Sequence, residues 1–139
     1  MQYKHLWVCN KKQGIKATRV CKLNSFSDKS QRWKLGSNNK LQNKEGVWKK
    51  DDSWNFNSKG DGWIWIENTS NSKVLGAASD GEVILEDSVE GKAQQLWRKG
   101  ELDAENYFTL ENSGVPKKVL TAISEDVLEI KGNITEMYK

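Results

Sequence analysis

A sequence motif that occurs twice constrains the fold of this chain more than any other feature. Ile66-Glu67-Asn68, followed by Lys73-Val74-Leu75-Gly76-Ala77, returns as Leu110-Glu111-Asn112, followed by Lys118-Val119-Leu120-Thr121-Ala122, at offsets of 44 and 45 positions. A repeat of this length indicates a fold built from copies of one supersecondary unit. Each copy holds short apolar strands joined by polar turns, and such a unit buries its apolar side chains only when several copies share a core.

Composition favours many short strands in one globular domain. The chain has 139 residues, of which 36% are hydrophobic and 29% charged, and this suits a single domain over residues 1–139. It contains eleven glycines and one proline, Pro116, which is typical of many tight turns. We place about a dozen short strands, among them Val47-Trp48-Lys49, and no helix. No apolar run approaches the ~20 residues of a membrane span.

Strict alternation of residue type marks the predicted strand Trp63-Ile64-Trp65-Ile66. In an extended strand the two isoleucines lie on one face and the two tryptophans on the other. One of the two pairs therefore points away from the core. An outward aromatic ring would offer a surface on which a sugar ring stacks.

Two Gln-x-Trp triplets, Gln31-Arg32-Trp33 and Gln95-Leu96-Trp97, each end a polar loop that follows an apolar strand. Together with the repeat, they make the chain resemble the ricin-type β-trefoil lectin family, whose repeats of about 40 residues each end in Gln-x-Trp. The resemblance covers nearly the whole chain and implies an all-β fold, a β-trefoil of three pseudo-repeats with about twelve short strands. It also implies that Trp33 and Trp97 anchor the core and that Gln31 and Gln95 hydrogen-bond backbone groups.

The units of the implied trefoil differ in completeness. Residues 62–97 match one unit best, and residues 107–130 match the first three strands of the next, with residues 135–138 as its expected closing strand. Residues 6–33 resemble the later part of another unit. The copy after it is shortened, and Trp54 stands where the triplet is expected.

The residues that bind sugar in this family are only partly matched. Galactose-binding members place an aspartate just after the apolar pair of the second strand, and Gly76 and Thr121 occupy that place here. The resemblance therefore implies no galactose site of the usual kind. It leaves six sugar-binding candidates, each of which also suits an ordinary surface position: Asp80, Glu86 and Gln94 in the unit ending at Trp97, and Lys11, Arg19 and Ser30 in the first unit.

Charge is distributed unevenly along the chain. Residues 1–50 contain thirteen Lys or Arg and two acidic residues, whereas residues 51–139 contain nine and seventeen. A basic N-terminal lobe of this kind fits a solvated surface and equally a surface for anions such as acidic or sulfated glycans or anionic lipid. Nucleic acid is not expected as a partner, because the acidic remainder would repel a long polyanion and no recognition motif is present.

Cys9 and Cys21 are the only cysteines. Ricin-type repeats often carry a disulfide within one repeat, so the resemblance implies a Cys9–Cys21 link and an oxidising compartment. Free buried thiols in a cytoplasmic protein fit the same residues. The sequons at Asn68 and Asn133 agree with secretion, but the start of the sequence lacks a signal-peptide hydrophobic region. A secreted or extracellular protein is the first expectation and a cytoplasmic one the second.

Residues for catalysis or metal binding are scarce. His5 is the only histidine, which leaves no His cluster for a metal and no Ser-His-Asp set. We therefore expect a carbohydrate-binding protein, not an enzyme, with no metal or cofactor and with glycans or glycoproteins as partners. A trefoil that has lost sugar binding and serves protein interaction or toxin targeting is the alternative, and a protease inhibitor is the third reading.

Overall fold

The structure is a computed structural model that describes residues 28–133. Within this range the chain forms short β-strands and three single-turn 3-10 helices, at Asp28–Gln31, Ser37–Asn39 and Ala93–Gln95. In chain order the strands are β1 (Trp33–Leu35), β2 (Leu41–Asn43), β3 (Trp54–Gly60), β4 (Trp63–Asn68), β5 (Val74–Ala77), β6 (Val83–Glu86), β7 (Trp97–Lys99), β8 (Leu110–Asn112), β9 (Lys118–Ala122) and β10 (Leu128–Gly132). The fold is all-β with open sheets, and this confirms the class predicted from the sequence.

The described strands pair antiparallel throughout. β1 and β2 form a two-stranded sheet, and the other eight strands form one sheet in the order β10-β9-β8-β7-β4-β5-β6, with β3 paired to β4. The turn before β6 also meets β10, where the Ile130 amide donates to the Gly81 carbonyl at 2.9 Å. The hairpins β5–β6 and β9–β10, which are the two ends of the sheet order, therefore lie side by side.

Three tryptophans occupy corresponding positions at the starts of strands. Each pairs with the asparagine that ends the next antiparallel strand: Trp33 with Asn43, Trp54 with Asn68, and Trp97 with Asn112. Each asparagine ends an apolar-x-Asn sequence, and Leu41-Gln42-Asn43 is a third copy that the two long repeats do not reveal. The described chain thus contains one strand arrangement three times.

These tryptophans lie at the centre of the core. Trp33 and Trp97 are completely buried and Trp54 is 2% exposed. Two of the indoles are bonded alike: the Nε1–H of Trp33 donates to the carbonyl of Leu120 at 2.9 Å, and that of Trp97 donates to the carbonyl of Leu75 at 3.0 Å. The Nε1–H of Trp54 is buried with no partner in residues 28–133. Two of the three anchors therefore combine apolar burial with a satisfied polar atom.

The first triplet is bonded to the last repeat. Trp33 and Phe108 exchange backbone hydrogen bonds of 2.8 and 2.9 Å, and Trp97 pairs with Ile64 at the corresponding position. Trp33 therefore closes the unit formed by β8, β9 and β10, a place that the sequence predicts for residues 135–138. That predicted strand, and the part of the predicted first unit before residue 28, lie outside the described residues.

The asparagines tie down the loops before the triplets. Nδ2 of Asn43 donates to the carbonyl of Ser30 at 3.0 Å, and Nδ2 of Asn112 donates to the carbonyl of Gln94 at 2.9 Å. Ser30 and Gln94 each stand directly before a Gln-x-Trp triplet. The third asparagine, Asn68, is 2% exposed, and its side-chain oxygen accepts a bond from the Ser70 amide. The Asn68 side chain is therefore not accessible for glycosylation in the folded chain.

Strand β4 turns its isoleucines inward. Ile66 is fully buried and Ile64 packs against the core, whereas the two tryptophans lie half-buried on the opposite face. Each outer ring is covered by a cation, Trp63 by the Arg98 guanidinium at 3.9 Å and Trp65 by the Lys59 ammonium at 3.8 Å from the ring centroid. The outward rings are therefore engaged by the protein's own charges.

The strand predicted at Val47-Trp48-Lys49 is absent, and that prediction was wrong. The backbone amide of Lys49 donates to the carbonyl of Glu125 at 2.9 Å, but no strand of the described range pairs with this segment. The segment is held by packing, since the rings of Trp48 and Trp33 meet edge to face with centroids 6.1 Å apart.

Candidate functional site

A groove of about 800 Å³ runs between the hairpins β5–β6 and β9–β10, and we call it the hairpin groove. Three of the sugar-binding candidates predicted from the sequence line it together: Asp80, Glu86 and Gln94. They come from the turn before β6, from the end of β6 and from the 3-10 helix before β7. The structure thus places at one site three residues that the sequence spreads over fifteen positions.

Glu86 is the most firmly positioned of the three. Its Oε2 accepts from Nε2 of the fully buried Gln95 at 2.8 Å and lies 3.1 Å from Nζ of Lys92. Gln95 itself is fixed, because its Nε2 also donates to the Asp87 carbonyl and its Oε1 accepts from the Val89 amide, both at 2.8 Å. The triplet glutamine therefore orients the carboxylate of the groove.

The Glu86 side chain extends across Gly76 on the neighbouring strand. A Cβ atom at residue 76 would collide with the Glu86 carboxylate, so any other residue there would force that carboxylate to shift. Burial alone would raise the pKa of Glu86, but hydrogen bonds from Gln95 and Lys92 and the charge of Lys92 outweigh it and hold that pKa below its usual value. The carboxylate is therefore ionised at neutral pH. Both of its contacts within residues 28–133 use Oε2, which leaves Oε1 for a ligand.

Asp80 and Gln94 border the same groove. Asp80 is exposed at the turn, where its Oδ1 accepts from the Glu82 amide at 2.9 Å and fixes the side chain. Gln94 is half-buried, and its backbone packs so closely on Gly114 that a Cβ there would lie 2.9 Å from the Gln94 nitrogen. Both residues thus border the groove and offer polar atoms to it.

Three lysines also line the hairpin groove, and the sequence did not single them out as ligands: Lys92, Lys118 and Lys131. Lys92 pairs with Glu86, and Lys131 pairs with Glu129 at 2.9 Å. Lys118 is the one with a sequence signal, because a lysine opens the second-strand motif in both long repeats. Lys118 and Lys131 reach the groove from β9 and β10, and Lys92 reaches it from the loop after β6, a convergence that sequence spacing does not show.

The remaining candidates do not join this site. Ser30 is 3% exposed, and its carbonyl accepts the Asn43 side chain. Lys11, Arg19, Cys9 and Cys21 lie outside the described residues. In the other triplet, Nε2 of Gln31 donates to the Gly132 carbonyl at 2.8 Å and to the Thr121 hydroxyl at 3.3 Å, so both triplet glutamines bond a backbone carbonyl.

Residues 28–133 contain no group of three His, Cys, Asp or Glu side chains placed to hold a metal ion. No helix in that range is long and apolar enough to cross a membrane. Comparison with protein-family models, curated proteins and solved structures found no significant match.

Proposed function

We propose that this chain is a ricin-type β-trefoil that binds carbohydrate in the hairpin groove. Three occurrences of the Trp–Asn strand pair support the trefoil, because that fold consists of copies of one unit around a shared core. The indole bonds give further support, since the corresponding residues Leu75 and Leu120 accept from corresponding tryptophans.

The observation that carries sugar binding is the meeting of Asp80, Glu86 and Gln94 in one groove. Sugar hydroxyls donate and accept hydrogen bonds, so a site for them needs both kinds of partner close together. The two carboxylates accept, the Gln94 amide does both, and Lys92 donates. A hydroxyl that donates to the ionised Glu86 makes a charge-assisted bond, which is stronger than a neutral one.

Gly76 and Glu86 together replace the aspartate of the galactose-binding relatives. Gly76 stands at the position of that aspartate, and Glu86 reaches over it from the adjacent strand. The hairpin therefore keeps a carboxylate beside this position, although it comes from β6. Ile84 and Val115 also line the groove and offer apolar surface to the C–H faces of a sugar ring.

The test is a glycan array followed by titration of a bound glycan into the parent protein and two variants. We expect saturable binding that free sugar competes away, and Glu86→Gln should weaken it about tenfold, the effect of losing one charge-assisted hydrogen bond. Glu101→Gln is the matched control, because Glu101 is exposed and lies outside the groove. An array without any specific signal, or equal losses in both variants, would contradict the proposal.

A trefoil devoted to protein interaction is the second candidate. It is favoured by exposed apolar side chains on and after β6, where Leu85 is 37% and Val89 50% exposed. Such residues suit a protein partner better than a polar sugar. A blank glycan array together with a partner whose capture is lost in a Leu85→Ser/Val89→Ser variant would favour this function.

A further inference from the structure

A second depression, of about 560 Å³, lies where three corresponding strand positions meet, and we call it the mouth depression. Leu35, Phe56 and Lys99 each stand two residues after one of the paired tryptophans, and all three line it. None of its described lining residues is acidic, and none lines the hairpin groove. The two depressions are therefore separate sites.

Lys99 breaks the pattern at this meeting point. The two corresponding residues, Leu35 and Phe56, are apolar and pack against the core. A third apolar residue would extend this packing, whereas Lys99 brings an ammonium group that lies 4.9 Å from the ring centroid of the buried Phe108. The ring contact gives this ammonium group one partner, and an anionic ligand would give it a second.

Lys34 is a second lysine that lines the same depression. Its Nζ lies 4.6 Å from the ring centroid of Tyr107. The nearby acids are already engaged, since Asp103 and Glu105 lie 2.8 and 2.7 Å from Nζ of Lys44. Within residues 28–133, neither Lys34 nor Lys99 has a carboxylate at ion-pair distance, so both charges are available to a ligand.

We propose that the mouth depression binds the phosphate or sulfate monoester of a small ring compound. Two ammonium groups match the charge of a phosphate monoester, which is about −2 at neutral pH, and both can also contact the singly charged group of a sulfate monoester. The amides of Gln42 and Asn106 add donors for the remaining oxygens. Phe56 and Phe108, whose rings meet edge to face at 6.0 Å, offer apolar surface to the ring that carries the anion. This ligand class is chosen by the two lysines and the two aromatic rings that line the same depression.

Calorimetric titration with phenyl phosphate, phenyl sulfate and inorganic phosphate tests this site at low ionic strength. The parent should bind the two phenyl esters saturably and inorganic phosphate more weakly, because only the esters reach the aromatic surface. Lys34→Gln and Lys99→Gln should each weaken binding about tenfold, the effect of one lost charge-assisted bond. Lys117→Gln, at an exposed lysine away from both depressions, is the control for the charge change.

Lys99→Leu keeps the test decisive if the glutamine variant folds poorly, because Leu35 already fills the corresponding position. Retained binding in Lys99→Leu, no binding by the parent, or an equal loss in Lys117→Gln would each overturn the proposal. If inorganic phosphate binds as tightly as the esters, the aromatic rings contribute nothing to binding, and the proposed ring compound is wrong. Glu86→Gln should leave ester binding unchanged, which separates this outcome from that of the hairpin groove.

Discussion

The indole of Trp33 donates to the carbonyl of Leu120, which lies 87 residues further along the chain. Trp97 makes the same bond to Leu75 across only 22 residues. Leu75 and Leu120 are corresponding residues of the long repeat, so the same contact is made once within a unit and once between distant parts of the chain. Because the Trp33 bond joins residues that are far apart in the chain, the core needs both ends of the described range in place.

Trp97→Ala should destabilise the fold by ~3–5 kcal/mol, as truncation of a fully buried aromatic side chain does. Urea unfolding followed by tryptophan fluorescence measures the change. Far-ultraviolet circular dichroism of the parent should show mainly β structure. A variant as stable as the parent would remove Trp97 from the core.

Trp97 and Trp54 should respond differently to replacement by phenylalanine, because only the indole of Trp97 has a hydrogen-bond partner in residues 28–133. Trp97→Phe leaves the buried Leu75 carbonyl without its donor, which adds ~1–3 kcal/mol to the cost of the lost volume. Trp54→Phe removes an indole nitrogen that has no partner in residues 28–133, so the only loss of stability should come from the smaller side-chain volume. Unfolding free energies of the two variants decide this, and equal values would contradict the predicted difference.

The strands from β4 to β10 agree well with those expected from the repeat in the sequence. The repeat did not predict that Trp33 pairs with the last copy. Units were expected to follow one another along the chain, and nothing in the spacing shows that Trp33 meets Phe108 and Leu120. The copy at Leu41-Gln42-Asn43 escaped notice because the unit that it opens is shortened and lacks the second-strand motif.

The hairpin groove was predicted in part. The resemblance gave Asp80, Glu86 and Gln94 as the candidates of one unit, but not as neighbours of Lys118 and Lys131. That proximity depends on the bond from Ile130 to Gly81, which joins the two ends of the sheet order. Contacts between strands so far apart follow from the packing of the hairpins and leave no periodic signal.

The Asp103 carboxylate should make the free energy of unfolding depend on pH in the acid range. Hydrogen bonding to Lys44 outweighs the effect of burial, and with the amides of Tyr107 and Glu105 it lowers the pKa of Asp103 to about 2. Because the folded pKa lies below the unfolded one, this stabilisation is fully present above the unfolded pKa of about 4 and is lost as the pH falls through the folded value.

The measurement is the urea midpoint of the parent and of Asp103→Asn at several pH values from about 6 to about 2. The parent should be the more stable protein at the upper end, and the difference should shrink towards zero at the lower end. Asp126→Asn, at an exposed turn residue without a described ion pair, should show no such trend. A difference between parent and Asp103→Asn that stays constant with pH would contradict the role of this carboxylate.

The close approach of Glu86 to Gly76 can be tested with a double-mutant cycle. Gly76→Ala places a methyl group where the Glu86 carboxylate lies, so it should displace that side chain and cost ~1–3 kcal/mol by overpacking. Removing the carboxylate with Glu86→Ala should relieve the collision, and the double variant should then be more stable than the sum of the two single effects predicts. Urea unfolding of the four proteins gives the coupling energy. Additive effects would mean that Glu86 moves away from Gly76 without loss, and the carboxylate would then not be held over the groove.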